Sequence, residues 1–146
     1  MNYFDATFFV RLYLDESGSE RVRSLARTTS VIRSSILGKM ETEAALHRHF
    51  REGKINAHAL QQANRQFEYD QQEGLLEWLP LTSSIVESVH AAYLKLPSAI
   101  FLRTGDAIHL ATASEAGFKE IYSNDRHLLA AATLFKLKGI NPLAKN

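Results

Sequence analysis

The chain has 146 residues, 45% of them apolar and 23% charged, with a formal net charge of +1. That is the length of one globular domain with enough apolar residues to bury a core unaided, and the near-neutral charge singles out no partner. There is no cysteine, which excludes disulfides, zinc–thiolate sites, iron–sulfur clusters and thiol catalysis, and suits a reducing cytosol.

The first five residues carry no basic leader or cleavable apolar stretch, so no signal peptide is expected. No apolar run approaches the roughly 20 residues of a membrane helix. Residues 1–4 read as a short buried strand ending at Asp5. Residues 6–14 look helical, Asp15 to Gly18 break the pattern, and 20–27 resume it with Val22, Leu25 and Ala26 on one face. Residues 30–33 are a second strand candidate. Ser35 sits where an N-cap would, opening a helix to about 51, and Asn56 caps another to about 72. Residues 75–81 suggest a strand, and Thr82 caps a helix running to 94. Thr104 caps the next, to about 116, where Gly117 stops it. Residues 119–122 form a short strand, Asp125 begins a short helix to 133, and 138–141 form a last strand before Pro142. Short strands alternating with helices, and no linker or repeat, predict a single α/β domain over 1–146 with a parallel sheet.

In such sheets, ligands sit beyond the carboxyl ends of the strands. Asp5 ends the first strand, and Asp125 stands just past Ile121-Tyr122. Asp106 lies in the first turn of the helix opened by Thr104, and Glu41 in the second turn of the helix opened by Ser35. Four acids from four elements can thus face one crevice, the all-oxygen surroundings a hard cation such as Mg²⁺ favours. Each also has a plainer explanation. An Asp at a helix start commonly caps free N–H groups and meets the helix dipole. Asp5 is the exception, because it interrupts an apolar stretch. Glu43 competes with Glu41: two residues apart on a helix means about 200° of rotation, so both cannot easily serve one site, and the helical wheel does not choose between them.

The run Asp106-Ala107-Ile108-His109-Leu110-Ala111-Thr112-Ala113 closely resembles the signature helix of PIN-domain toxins of the VapC type. Ile121-Tyr122-Ser123-Asn124-Asp125 resembles that family's strand ending in Thr/Ser-x-Asp, and Tyr3-Phe4-Asp5-Ala6-Thr7 its opening strand. Gly139-Ile140-Asn141-Pro142 is similar to its usual close. Ser35, Glu41, Ala45 and Leu46 match the family's spacing, which selects Glu41 over Glu43. Two departures stand out: Phe4 where a smaller aliphatic is usual, and Asn124 where an aromatic or aliphatic residue is common.

The resemblance implies a PIN-like three-layer α/β fold, with a central, mostly parallel sheet flanked by helices. It implies a cytoplasmic Mg²⁺- or Mn²⁺-dependent ribonuclease with Asp5, Glu41, Asp106 and Asp125 as catalytic metal ligands. It also implies an RNA substrate, a cognate antitoxin protein and a homodimer. A PIN nuclease of RNA processing, or a non-catalytic PIN module binding RNA or protein, is the alternative. Thr7, Ser123 and Asn124 are candidate phosphate contacts or turn residues, and Arg11, Lys39, Arg103 and Arg126 candidate phosphate binders. His109 shares a helix face with Asp106 and is read as a packing residue that hydrogen-bonds. The other five histidines show no ligand spacing.

Overall fold

A computed structural model of the chain describes residues 1–145. Strand β1 (Asn2–Tyr3) leads to helices α1 (Ala6–Tyr13) and α2 (Ser19–Ala26), then β2 (Ile32–Ser35), α3 (Ile36–Arg51) and α4 (Ala57–Gln72). The second half holds β3 (Leu76–Leu79), α5 (Ser83–Leu94), α6 (Thr104–Glu115), β4 (Glu120–Tyr122), α7 (Arg126–Ala131), a 3₁₀ turn (Ala132–Phe135) and β5 (Lys138–Ile140). Every ladder is parallel: β1 pairs with β2, β2 with β3, and β4 with β5. A parallel bridge between Phe4 and Tyr122 joins the two groups, giving the order β3-β2-β1-β4-β5. The strand order therefore reverses between β1 and β4, the place where open parallel sheets present ligand crevices.

Side chains alternate across the sheet, and the first strand shows it within two residues. Tyr3 joins a core with Leu102, Leu110, Ile121 and Leu128, from the α6–β4–α7 side. Phe4 joins Phe8, Phe9, Val22, Ile32 and Phe67 on the opposite face. Helices on both faces of a parallel sheet make the three layers anticipated above.

Most boundaries shift by a residue or two, and three of the differences have a clear physical cause. Strand β2 runs two residues later than 30–33, because buried Ser34 and Ser35 find partners in and just after β1: Ser34 Oγ donates to the Phe4 carbonyl at 2.7 Å, and the Ser35 N–H donates to Tyr3 Oη at 3.0 Å. Strand β3 stops at Leu79 because Pro80 has no N–H for the ladder. Arg103, not Thr104, occupies the N-cap position of α6 and makes no capping hydrogen bond. Its side chain is engaged elsewhere.

Candidate active site

Asp5, Glu41, Asp106 and Asp125 line one cleft of about 710 Å³ above the switch point. Each arrives by a different local route. Asp5 follows β1 and caps α1: its Oδ1 accepts the Thr7 N–H at 3.1 Å and the Thr7 hydroxyl at 2.6 Å. Its Oδ2 accepts the Ser123 hydroxyl at 2.5 Å. Ser123 Oγ in turn accepts the Asp125 N–H at 2.9 Å, so one serine ties two of the acids together. Asp5 is only 4% exposed. Burial pushes its carboxyl above the usual range, against the lowering effect of the Ser123 and Thr7 hydrogen bonds.

Asp125 caps α7, its Oδ1 accepting the N–H groups of His127 at 2.8 Å and Leu128 at 3.3 Å. Its Oδ2 pairs with the Arg103 guanidinium, whose Nε also donates to Asp106 Oδ2 at 2.9 Å. Arg103 thus bridges two acids brought from the starts of α6 and α7. Hydrogen bonding and charge from Asp106 come first among the causes that hold its guanidinium even more firmly protonated than usual.

Glu41 points into the cleft from α3. Its Oε1 lies 2.6 Å from His109 Nε2, and His109 Nδ1 lies 3.0 Å from Tyr3 Oη. Glu43 is exposed and borders a different surface with Lys39, Asn64 and Glu68. Gly38 lets α3 come this close: a Cβ there would lie 2.7 Å from Ser34 Oγ and 3.1 Å from His109 Cε1.

Thr7 and Ser123 are hydrogen-bonded to Asp5, whereas Asn124 lies outside the cleft lining. Arg11 and Arg103 line the cleft; Lys39 and Arg126 do not. Arg48, His49 and Lys54 also line it and were missed from the sequence. Arg48 had a readable signal, since it stands seven residues past Glu41 and so on the same face of α3.

The donors suit a hard divalent cation in kind: four carboxylates, flanking hydroxyls and no sulfur. They do not form a closed cage. Among the described residues no three acidic or histidine side chains stand close enough to hold one ion together. Where Asp106 and Asp125 face each other, the positive charge among them is the Arg103 guanidinium.

The PIN-domain family model matches residues 3–134. Among solved structures the chain is similar to VapC20 of Mycobacterium tuberculosis, a toxin described as cleaving the sarcin–ricin loop. That match has a TM-score of 0.69 at 17% identity, covering 90% of this chain and 95% of that one. It is also similar to VapBC2 from Rickettsia felis, bound to a DNA fragment from its promoter (TM-score 0.63, 14% identity, 97% and 98% covered). FitAB bound to an IR36 DNA fragment gives a TM-score of 0.66 at 13% identity, with 100% and 98% covered. At these identities the shared property is the fold. No curated protein matches in sequence.

Proposed function

The chain belongs to the PIN-domain family, and on that premise we propose that it is a metal-dependent endoribonuclease, the toxin of a toxin–antitoxin pair. The observation that carries this reading is the convergence of Asp5, Glu41, Asp106 and Asp125, from four separate elements, on one cleft at the switch point of the sheet. The similarity to VapC20, VapBC2 and FitAB supports the toxin assignment and a protein partner that restrains it. No helix among the described residues is long and apolar enough to cross a membrane. A toxin of this kind would act on RNA in the cytoplasm.

Asp5, Glu41, Asp106 and Asp125 are the residues that would hold Mg²⁺ or Mn²⁺, some of them through water, since no three of them stand close enough to grip one ion directly. Such an ion, once bound, supplies polarisation of the scissile phosphodiester and a water of lowered pKa. The chain's own residues do the rest. Thr7 and Ser123 fix the direction of the Asp5 carboxylate. Arg48 and Lys54 line the cleft with positive charge suited to the phosphates on either side of the cleaved bond, while Arg11 is paired there with Glu16 at 3.6 Å.

The test is cleavage of a structured RNA by the purified chain with Mg²⁺ or Mn²⁺, compared with Asp106→Ala. Cleavage that needs the ion and is lost in a folded Asp106→Ala protein is the expected result. A chain free of any inhibitor that binds RNA yet cleaves none with either ion would instead be a binding module.

A further inference from the structure

We propose that His109 is a positioning residue that holds the Glu41 carboxylate in the cleft, with its own tautomer set by the hydroxyl of Tyr3. This rests on the reading of Glu41 as a member of the cation-holding set. Among the described residues, Glu41 and Asp106 are the two acids of the four that accept no backbone N–H. Asp5 and Asp125 cap helices, and Asp106 is paired by Arg103. Glu41 sits inside α3, where every nearby N–H already serves the helix. Its partner among the described residues is His109 Nε2 at 2.6 Å.

The ring cannot easily do otherwise. His109 is 2% exposed, and its two nitrogens face different elements: Nε2 meets α3, and Nδ1 meets β1. Tyr3 Oη accepts the Ser35 N–H at 3.0 Å, which leaves its own hydrogen for Nδ1 at 3.0 Å. Nδ1 is then an acceptor, so the ring proton sits on Nε2 and is donated to Glu41, since a carboxylate only accepts. A tyrosine hydroxyl is protonated at neutral pH, so Tyr3 Oη has a hydrogen to donate. The close approach that allows the chain Ser35–Tyr3–His109–Glu41 depends on Gly38, where any Cβ would press on Ser34 and His109. A hydrogen-bond partner that aims a ligating group commonly changes metal affinity when it is removed.

The experiment measures Mn²⁺ affinity of the full chain by the loss of the free-ion spin-resonance signal, alongside ¹⁵N spectra of the imidazole. In the wild type, the neutral His109 ring should carry its proton on Nε2, and Tyr3→Phe should yield a mixture of tautomers. His109→Leu should weaken Mn²⁺ binding about tenfold, and His109→Gln, which returns a donor near Nε2, should recover it to within about threefold of wild type. In the Glu41→Ala background the His109→Leu change should have less than about a twofold effect. If His109→Leu does not fold, Tyr3→Phe carries the same test through the spectra and a smaller loss of affinity. A wild-type proton on Nδ1, or Mn²⁺ binding that depends on Glu41 but not on His109, overturns the relay alone. Binding indifferent to Glu41→Ala overturns the assignment of Glu41 itself, and the relay's purpose with it.

Discussion

Replacing Arg103 by Gln should destabilise the cation-free protein and, at the same time, tighten its grip on divalent ions. The guanidinium holds Asp106 and Asp125 together, so removing it leaves two carboxylates facing each other. A close charge pair near a protein surface has a Coulomb energy of about 4 kcal/mol. That is an upper bound here, because the Arg103 side chain is 53% exposed. Part-exposed pairs are worth about 0.2–1 kcal/mol each, which puts the two together at roughly 0.5–2 kcal/mol. For a chain of this length the loss corresponds to a fall in Tm of about 1–8 °C. Helix α7 should survive, since the capping oxygen of Asp125 is not the one bonded to Arg103. An ion entering the wild-type cleft must first displace the guanidinium. Without that competition, affinity should rise by the same free energy, about 2- to 30-fold. Calorimetric titration with Mn²⁺ and melting curves with and without chelator measure both quantities, and raising the salt should shrink the difference. If folded Arg103→Gln protein binds Mn²⁺ more weakly than wild type, Arg103 orients the carboxylates and does not compete for them.

Gly38→Ala should cost about 1–3 kcal/mol, since its Cβ would meet Ser34 Oγ at 2.7 Å and His109 at 3.1 Å in a tightly packed interior; a urea midpoint equal to wild type would contradict the close approach described. The pH dependence of chelated protein should carry the mark of Asp5. Its carboxyl is raised, first by burial, so the folded state holds a proton more tightly than the unfolded chain does. This group's contribution is therefore complete on the acid side of the unfolded pKa and is lost as pH rises through the folded one. Asp5→Asn, which cannot ionise, should become progressively more stable relative to wild type as pH rises above about 4; a difference that does not change with pH, read from denaturation midpoints, would remove burial as the cause.

How far the sequence reveals the site depends on where each signal resides. The α6 motif is local: Asp106, His109 and the small residues after them lie within two turns, so their spacing alone places acid and imidazole on one face. The strand ends at Asp5 and Asp125 are equally local, and both land at the switch point as expected. The choice of Glu41 over Glu43 was not legible from helix periodicity, because α3 has only weak amphipathic contrast: its buried positions include Gly38 and Thr42. Glu41 reaches the cleft through α3 packing on α6, a contact no single helix encodes. The same holds for β2, whose register depends on Tyr3 and Phe4 some thirty residues away. His109 reads as a packing residue for good reason, since an isolated histidine in an apolar helix says nothing of Tyr3 at the other end of the chain.

Capping and the proposed cation-holding role are compatible in the same residues. A carboxylate has two oxygens, and a helix start occupies one of them. For Asp5 and Asp125 the capping oxygen is tied to backbone N–H groups, and the other is left to face Ser123 or Arg103. The tie removes side-chain freedom that would otherwise have to be lost when a ligand binds. The positive end of each helix also offsets the repulsion between neighbouring acids. A site built on strand-to-helix turns therefore gains rigidity and charge balance from the fold itself. Glu41 marks the limit of this arrangement. It lies mid-helix, beyond the reach of any free N–H, and its one anchor comes from α6 through a buried imidazole. The acid least legible from the sequence is thus held from another helix, whereas Asp106 is held by Arg103 three residues before it.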